Sequence, residues 1–294
     1  MMICLLLKME RLKEQCLEKL LCLNSNLMTS TDWLNKFIIK LKTILLDDEK
    51  YFLSSSIVPL SITSKLDHEI LSEKLADFFL GGLNSEIVFS TASLHLVGEK
   101  EIYDPIKTIC TARGILNEIL RKKSTVRSLH PYISFAGIRS PIDKFLRYDS
   151  PHAYGKNSIS DYLYENNFVA LCIGISPRIN TLVHHAEHIA SVPYRYTKKF
   201  SHQIKINNKI ISKDIFMNVL YRDLNFNRDG NKRLLSNMYQ DGFLVKKNII
   251  QNISIYTFKV RDYIDLATKS MINDPLIWLP KDFSVINPNP KFTK

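Results

Sequence analysis

Apolar runs alternate with amphipathic segments through most of the chain before residue 190. Four short runs rich in apolar residues predict buried strands, and the segments between them carry apolar residues at the spacing of helices. The predicted strands read KYFLSSSIVPL, EIVFSTAS, YISFAGI and FVALCIGI. The predicted helices are TSTDWLNKFIIKLKTILLDD, DHEILSEKLADFFLGG and segments at about 111–122, 141–147, 158–165 and 181–190. Strands and helices in this alternation predict an α/β fold with a layered sheet.

The pattern changes after Tyr196. The next segments are predicted as a hairpin around Asn207-Asn208, a helix near 229–240, strands near 243–259, a helix at 261–272 and a Pro-rich tail without regular structure. At the other end of the chain, residues 8–23 predict an amphipathic helix that packs on the body or on a second subunit. No repeat or low-complexity linker divides the sequence. We therefore predict one domain over residues 1–294, with a helical extension in 1–30 and an antiparallel C-terminal part.

Composition and charge narrow the class of partner. A hydrophobic share of 45% with 23% charged residues is typical of a soluble globular protein. The formal net charge of +11 favours an anionic partner, such as nucleic acid, a membrane surface or a phosphorylated ligand. The basic residues form only short clusters, such as Arg121-Lys122-Lys123 and Lys198-Lys199. A nucleic-acid arm usually shows denser blocks, so a phosphorylated small molecule is at least as well supported.

Cysteine usage and the first residues bear on the compartment. The five cysteines are odd in number and lack paired metal spacing, as expected of reduced thiols that serve mostly in packing. The apolar run in MMICLLLKMERLKEQCLEKLL is too short for a signal sequence or a membrane span. No other segment approaches the roughly 20 apolar residues that a spanning helix needs. We therefore expect a cytoplasmic protein without a membrane span.

The segment INTLVHHAEHIASVPYRY places three histidines and a glutamate within five positions. On a helix, His184, Glu187 and His188 share one face, because residues three and four apart are neighbours, while His185 points elsewhere. A metal site is disfavoured, since the segment is not an H-E-x-x-H motif and no Cys or acidic motif completes it. Two interpretations stay open at this point. One is a solvated polar face; the other is a general base whose ring the glutamate orients.

The segment STVRSLHPYISFAG sets polar residues at the entrance of a predicted strand, a place where ligands commonly bind. Arg127 and Ser128 would suit a phosphate or a pantetheine amide, and His130 begins the turn. A turn with a structural histidine explains the same residues.

The segment YGKNSISDYLYENN offers a weaker signal. Gly155 would let the backbone approach a ligand, and Ser158 is a candidate N-cap whose helix N-terminus could face an anion. A plain loop followed by a cap explains both residues equally. The sequence has no P-loop, no G-x-G-x-x-G and no G-x-S-x-G motif, so ATP-binding, NAD-binding and serine-hydrolase functions are disfavoured.

Taken in order, four stretches resemble the aminoglycoside 3-N-acetyltransferase family, the antibiotic N-acetyltransferases. YDPIKTICTARGILNEILRKKSTVRSLHPYISFAGI is similar to the family's segment of an aromatic-Asp-Pro, a Gly-Xaa-Leu-Xaa-Glu helix and an Arg-Ser-Xaa-His-Pro turn. AYGKNSISDYL resembles its Gly-Xaa-Xaa-Ser loop, FVALCIGI its glycine-ended strand, and NTLVHHAEH its Thr-Xaa-Xaa-His-Xaa-Xaa-Glu helix. The resemblance covers about residues 30–200, with order and spacing kept.

This resemblance implies an α/β/α fold that binds acetyl-CoA and transfers its acyl group directly to an amine on a sugar. It implies that His184 deprotonates the amine, that Glu187 orients His184, and that Thr181 belongs to the same motif. His185 and His188 are not required and are interpreted as surface or supporting residues. The residues that would line the coenzyme side are Ser55, Ser56, Arg127, Ser128, His130, Ser134, Gly155 and Ser158.

The sequence departs from the family after the first helix. Antibiotic-modifying members carry a Val-His-Ser-Ser-Leu stretch there, whereas this chain has LSSSI, with Ser54 in the place of the histidine. Ser55 and Ser56 are kept. This implies a coenzyme site of altered form.

The acceptor can be argued from charge. Aminoglycosides are polycations, and a chain at +11 attracts them poorly, whereas a nucleotide-linked amino sugar carries a pyrophosphate that suits a basic protein. The first hypothesis is therefore an acyl-CoA-dependent N-acyltransferase of a nucleotide-linked amino sugar in surface-polysaccharide assembly. The alternatives are an aminoglycoside-resistance enzyme and a non-catalytic relative that binds a nucleotide-sugar or nucleic acid. The acyl chain length and the oligomeric state stay open, with a homodimer as one option.

Overall fold

The computed structural model describes residues 29–111, 114–178, 180–221, 224–225, 231–279 and 284–285. A seven-stranded mixed sheet lies at its centre. In spatial order its strands are β3 (Val126–Arg127), β4 (Phe135–Ile138), β2 (Glu86–Ser90), β1 (Lys50–Ser55), β5 (Val169–Ile173), β10 (Ile253–Lys259) and β9 (Lys246–Ile250). Strand β1 pairs in parallel with β2 and β5, and the remaining pairs in this sheet are antiparallel.

Helices cover both faces of the sheet, because successive side chains of each strand point to opposite sides. In β1, Tyr51 and Leu53 pack into one apolar cluster and Phe52 packs into the other. The first face is covered by α1 (Ser30–Ile44), α2 (Ile57–Ser64), α3 (His68–Asp77) and α4 (Ile115–Lys122). The second face is covered by α5 (Ile142–Leu146), α6 (Ile159–Glu165), α7 (Leu182–Ile189), α8 (Asn231–Gln240) and α9 (Val260–Asn273). This architecture confirms the predicted α/β/α fold and its antiparallel C-terminal strands.

A long hairpin stands apart from the main sheet. Its strands are β6 (Arg195–Ile206) and β7 (Lys209–Leu220). Asn207 and Asn208 both have positive φ, 48° and 63°, which is the backbone of a two-residue type I′ turn and confirms the predicted hairpin. The hairpin packs Ile204 and Ile215 against a small apolar cluster with Tyr103. The strands β8 (Leu224–Asn225) and β11 (Ser284–Val285) pair separately.

All four predicted strands are shorter in the structure, and the reason is clear for two of them. In KYFLSSSIVPL, β1 ends at Ser55, and the last residues begin α2. Pro59 lies in the first turn of that helix, where its missing N–H breaks no helical hydrogen bond, so the apolar residues on both sides of the three serines were predicted as one strand. In YISFAGI, the strand starts only at Phe135, because the preceding residues form a turn in which His130 Nδ1 accepts a hydrogen bond from Ile133 N.

One predicted helix begins later in the structure than expected, and two other predictions concern residues outside the described ranges. The helix predicted from 111 begins at Ile115, and the predicted helix 8–23 and most of the Pro-rich tail lie outside the described residues. The single-domain organisation stays a prediction. Among the residues that the structure describes, no helix is long and apolar enough to cross a membrane.

The order in which the chain adds strands to the sheet reverses at β1. The chain passes from β1 to β2 on one side and later returns to β5 on the other, and ligands of α/β proteins bind at the carboxyl ends of strands flanking such a point. Asn180, just before α7, contacts Cys172 Sγ at 4.0 Å. Cys172 in turn is the register partner of Ser54 at the end of β1. The carboxyl end of β1 and the start of α7 therefore lie close together.

Candidate active site

Helix α7 presents the histidine cluster beside this sheet edge. The Asn180 side chain lies at the start of helix α7, where its Oδ1 accepts a hydrogen bond from Leu182 N at 3.0 Å. Leu182, Val183 and Ala186 are buried in the core. Burial of this apolar stripe turns His184 toward the outside, where 28% of its side chain is exposed.

His184 and Glu187 form a hydrogen-bonded pair. Nδ1 of His184 lies 2.7 Å from Oε2 of Glu187, whose side chain has no exposed surface. An ionised carboxylate only accepts hydrogen bonds, so the histidine proton is placed on Nδ1 and the lone pair on Nε2. Within the described residues Nε2 has no hydrogen-bond partner, and it is free to take a proton from a ligand.

The carboxylate of Glu187 is kept charged by its neighbours. Burial raises its pKa, but the positive charge that His184 acquires on protonation, the hydrogen bond from His184 and the charge of Arg195 more than offset burial, so its pKa stays below the usual value. Arg195 Nε lies 2.5 Å from Oε2. Burial and then the charge of Glu187 raise the pKa of the neighbouring Tyr194, which stays a neutral phenol.

Aromatic rings surround the exposed edge of His184. The ring of Tyr154 lies 5.6 Å away and that of Trp278 lies 6.4 Å away, between ring centroids. Trp278 also stacks on Tyr194 at 5.9 Å. These rings come from three separate parts of the chain, and two of them, Tyr154 and Trp278, pack near the His184 ring.

Comparison with known proteins identifies the family. The model of the family described as aminoglycoside 3-N-acetyltransferase matches residues 92–272, more than half of the chain, including the His184–Glu187 pair. The chain belongs to the aminoglycoside 3-N-acetyltransferase family. It is therefore an N-acetyltransferase that uses acetyl-CoA as its acyl donor. Membership in an enzyme family does not support the non-catalytic alternative.

Solved structures share the fold of this acetyltransferase. YokD from Bacillus subtilis has a TM-score of 0.65 at 18% identity, over 82% of this chain and 93% of that chain. Aminoglycoside acetyltransferase AAC(3)-Xa has a TM-score of 0.64 at 14% identity, over 82% and 92%. AAC-IIIb in its binary complex with CoASH has a TM-score of 0.60 at 15% identity, over 83% and 96%. At these identities the likeness shows the fold. No curated protein matches the sequence.

The other two histidines of the cluster shape the loop at Gly155. His185 is buried, and its Nδ1 accepts a hydrogen bond from Gly155 N at 3.2 Å. Burial, and then the neighbouring His188, lower the pKa of His185 to about 4, so it is neutral at physiological pH. His188 packs directly on Gly155. A histidine ring thus fills the space beside the Cα of Gly155, and the approach of the Gly155 backbone to a ligand stays a prediction.

Replacing Gly155 by Ala is expected to destabilise the acetyltransferase more than replacing Gly242 by Ala. Both glycines have φ of +92°, but an added Cβ at Gly155 would lie 2.5 Å from the His188 ring, whereas none lies within 4 Å at Gly242. The backbone strain of about 1–2 kcal/mol is shared, and the clash adds about 1–3 kcal/mol at Gly155 alone. Urea unfolding of both variants measures the difference, and equal losses would contradict the packing described here.

Arg127 and Ser134, predicted to line the coenzyme, are buried inside the protein. Arg127 is 6% exposed and Ser134 is 0% exposed. The partners that accept hydrogen bonds from the Arg127 guanidinium are Thr91 O, Thr91 Oγ1, Ser93 Oγ, Pro105 O, Thr108 O and Ser134 Oγ. The group also lies over the ring of Tyr103. These contacts show that the two side chains tie loops to β3 and β4, while their predicted place on the coenzyme side stays a prediction.

Ser128, His130 and Ser158 are likewise held by internal contacts. Ser128 Oγ accepts from Phe135 N at 3.0 Å. His130 is buried, and burial lowers its pKa to about 4. Ser158 caps α6, its Oγ accepting from Asp161 N at 3.3 Å. These contacts fit the structural interpretation of the turn and the cap, and the predicted contacts of the three residues with the coenzyme stay predictions.

The serines at the end of β1 differ from that buried set. Ser54, Ser55 and Ser56 are half-buried, and their hydroxyls have no hydrogen-bond partner among the described residues. Ser56 N donates to Ile173 O at 2.9 Å, which joins the ends of β1 and β5. Gly174 follows with φ of +65°, and an added Cβ would meet Ser56 O at 2.7 Å. This edge offers polar groups for a ligand at the point where the strand order reverses.

A surface groove lies away from these residues. It encloses about 760 Å³ between α3 and α4, and its lining includes Glu69, Glu73 and Asp77. Neither His184 nor the β1 serines belong to the lining. In the part of the chain that the structure describes, no group of three or more His, Cys, Asp or Glu side chains could hold a metal ion.

Sequence reasoning missed four residues of the site: Tyr154, Tyr194, Arg195 and Trp278. Tyr194 and Arg195 lie in the same segment as the histidines, and a glutamate one helix turn after a histidine is the signal there for a nearby cation. Tyr154 and Trp278 carry no such signal. Thr181, which was predicted, precedes α7 but makes no side-chain cap hydrogen bond.

Proposed function

We propose that this acetyltransferase passes the acetyl group of acetyl-CoA directly to the amine of an amino sugar, with His184 as general base. The observation that carries the proposal is the hydrogen bond from His184 Nδ1 to the buried Glu187, which leaves Nε2 unpaired and partly exposed. A protonated amine cannot attack a thioester, so the reaction requires a base near the amine. Glu187 stabilises the imidazolium that forms.

The proposed step balances without an enzyme nucleophile. The amine nitrogen bonds to the thioester carbonyl carbon while Nε2 of His184 takes its proton. The carbon–sulfur bond then breaks, and the thiolate of coenzyme A leaves with the electron pair. The imidazolium returns the proton to this thiolate, which gives the free thiol and the amide and restores the neutral histidine.

The coenzyme is proposed to bind at the carboxyl end of β1. Support comes from the unpaired hydroxyls of Ser55 and Ser56 next to the start of α7, and from the CoASH complex of the structurally similar AAC-IIIb. The pantetheine arm carries amides that such hydroxyls can bind. Thr181, at the start of α7, is proposed to face the reaction centre from the same side.

Replacing Ser55 and Ser56 together by Ala is expected to raise the KM for acetyl-CoA about tenfold. Loss of two neutral hydrogen bonds, at about 0.5–1.5 kcal/mol each, has this size, and kcat should change little. Steady-state kinetics with varied acetyl-CoA measure the effect. The exposed Ser236→Ala variant is the control, and an unchanged KM in the double variant would place the coenzyme elsewhere.

The proposed acceptor is a nucleotide-linked amino sugar of surface-polysaccharide assembly. Among the described residues, the one carboxylate that contacts His184 is Glu187, which is fully buried and paired with Arg195. A polycationic antibiotic would find no free negative charge there, whereas the net charge of +11 favours a pyrophosphate. The structurally similar AAC(3)-IVa was solved in complex with a gentamicin. Aminoglycosides are therefore the acceptors with which nucleotide-linked amino sugars should be compared.

An acceptor panel tests the proposed function. The protein is incubated with acetyl-CoA, a thiol reagent and either nucleotide-diphosphate-linked amino sugars, free amino sugars or kanamycin-type aminoglycosides. The proposal predicts the fastest thiol release with the nucleotide-linked sugars. Thiol release with the aminoglycosides alone would contradict this acceptor while keeping the acetyltransferase activity.

A further inference from the structure

The carboxylate of Glu187 is shared between two cationic or proton-donating partners. Its Oε2 lies 2.7 Å from His184 Nδ1 and 2.5 Å from Arg195 Nε, while Oε1 has no hydrogen-bond partner in the described structure. Arg195 Nη2 also lies 3.2 Å from His184 Nδ1. The guanidinium therefore touches both members of the proposed catalytic pair without reaching the exposed Nε2 edge.

Arg195 is itself held in place by other elements. Its side chain is 8% exposed. Nη1 donates to the Asn218 carbonyl of β7 at 3.2 Å, and the guanidinium carbon lies 5.5 Å from the centre of the Trp278 ring. The first residue of the hairpin, its return strand and the segment after α9 thus fix the guanidinium against α7. A buried arginine with these contacts cannot move away from Glu187 without local unfolding.

We propose that Arg195 is a positioning residue of the acetyl transfer, which keeps Glu187 ionised and oriented and limits how tightly the His184–Glu187 pair holds a proton. This inference rests on the proposed role of His184 as the base. A buried carboxylate without a cation is costly and tends to take up a proton. With Arg195 beside it, Glu187 still orients the ring, but its negative charge no longer traps the proton that His184 must return to the thiolate.

Among the described groups around Glu187, Arg195 is the one that carries a permanent positive charge. On α7 the titratable neighbour is His184, from the loop before β6 it is Tyr194, and from α9 it is Tyr263. Both phenols are neutral, since burial raises the pKa of each and the charge of Glu187 adds to it. Farther out, Asp274 is paired with Arg233 at 2.8 Å. A change at Arg195 therefore alters the charge balance of the pair directly.

The test compares the pH dependence of kcat/KM for the wild type, Arg195→Gln and Arg195→Lys, using the best amine from the acceptor panel. Arg195→Gln removes the cation, so the acid limb should move to higher pH by about one unit, the lower end of the effect of a nearby charge. Arg195→Lys keeps the positive charge but loses the planar guanidinium, whose several N–H donors have a fixed geometry. Its acid limb should stay in place while kcat falls about tenfold through lost orientation.

Arg139→Gln is the matched control. Arg139 is half-buried and, like Arg195, is held by internal contacts: it donates to three carbonyls, those of Phe79, Leu80 and Ser85 on the other side of the sheet. Its replacement should lower the Tm and leave the acid limb where it is. A purely structural role of Arg195 would give this same pattern for Arg195→Gln, and that outcome would overturn the proposal.

The design separates this inference from the proposed function. If His184→Ala turns over like the wild type, the proposed function fails and the Arg195 inference fails with it. If His184→Ala is inactive while the Arg195→Gln profile coincides with the wild type, only the Arg195 inference fails. Should Arg195→Gln not fold, Arg195→Lys decides, and a wild-type kcat in that variant overturns the proposal.

Discussion

Replacing His184 by Ala is expected to lower kcat by about 10²–10⁴-fold, the range for a lost general base. The variant keeps the ion pair between Glu187 and Arg195, and the lost side chain is partly exposed, so the Tm should change little. Thiol release from acetyl-CoA with a saturating amine acceptor measures kcat. The KM for acetyl-CoA should stay within a few-fold of the wild type, because the proposed role of His184 is to take a proton from the amine and not to hold the coenzyme.

His185→Ala is the control on the same helix. His185 is buried and accepts a hydrogen bond from Gly155 N, so its loss should lower the Tm. The folded fraction should retain most of its kcat, since the His185 ring is turned away from the Nε2 edge of His184. Equal losses of kcat in the two variants would contradict the assignment of the base to His184.

Replacing Arg127 by Ala is expected to give the largest loss of stability of the variants considered. The guanidinium is buried and donates to main-chain carbonyls of Thr91, Pro105 and Thr108 as well as to side-chain hydroxyls. Each buried acceptor left unpaired costs about 1–3 kcal/mol, so the free energy of unfolding should fall by at least about 3 kcal/mol. Urea unfolding measures this loss.

The same variant distinguishes the two interpretations of Arg127. A residue that holds the coenzyme would raise the KM for acetyl-CoA and leave the Tm nearly unchanged. The structure predicts the reverse for the folded protein, a large drop in Tm with a KM close to the wild type. Arg139→Ala, which loses three hydrogen bonds to carbonyls on the opposite face of the sheet, is the reference for a purely structural arginine.

The part of the fold that could be predicted is the part set by local pattern. Apolar runs and helical spacing located the main strands and helices, and the i, i+3 spacing of His184 and Glu187 predicted that their side chains meet on α7. Pattern alone could not locate the end of β1, because apolar residues resume directly after Ser56 and belong to α2. At this boundary Ser56 N still donates to Ile173 O, a contact between distant segments that the local pattern does not show.

The difference between local pattern and contacts of distant segments also explains which residues of the candidate site could be predicted. The sequence of the Arg127 segment shows a charge but not its burial, which follows from partners at residues 91–108 that fold over it. Arg195 lies eight positions after Glu187 and returns to it only because the chain turns after α7. Trp278 reaches the site from the far C-terminal segment. Local spacing predicted the contact between His184 and Glu187, and tertiary packing determines what surrounds it.

A histidine that loses activity on mutation could be a base or a nucleophile, so the central claim of direct transfer needs a kinetic test. Initial rates are measured against acetyl-CoA at several fixed concentrations of the amine acceptor. Direct transfer within a ternary complex predicts double-reciprocal lines that intersect, and no acetylated protein by mass spectrometry after incubation with acetyl-CoA alone. Parallel lines together with one acetyl group on the protein, absent in His184→Ala, would contradict the account and assign His184 as a nucleophile.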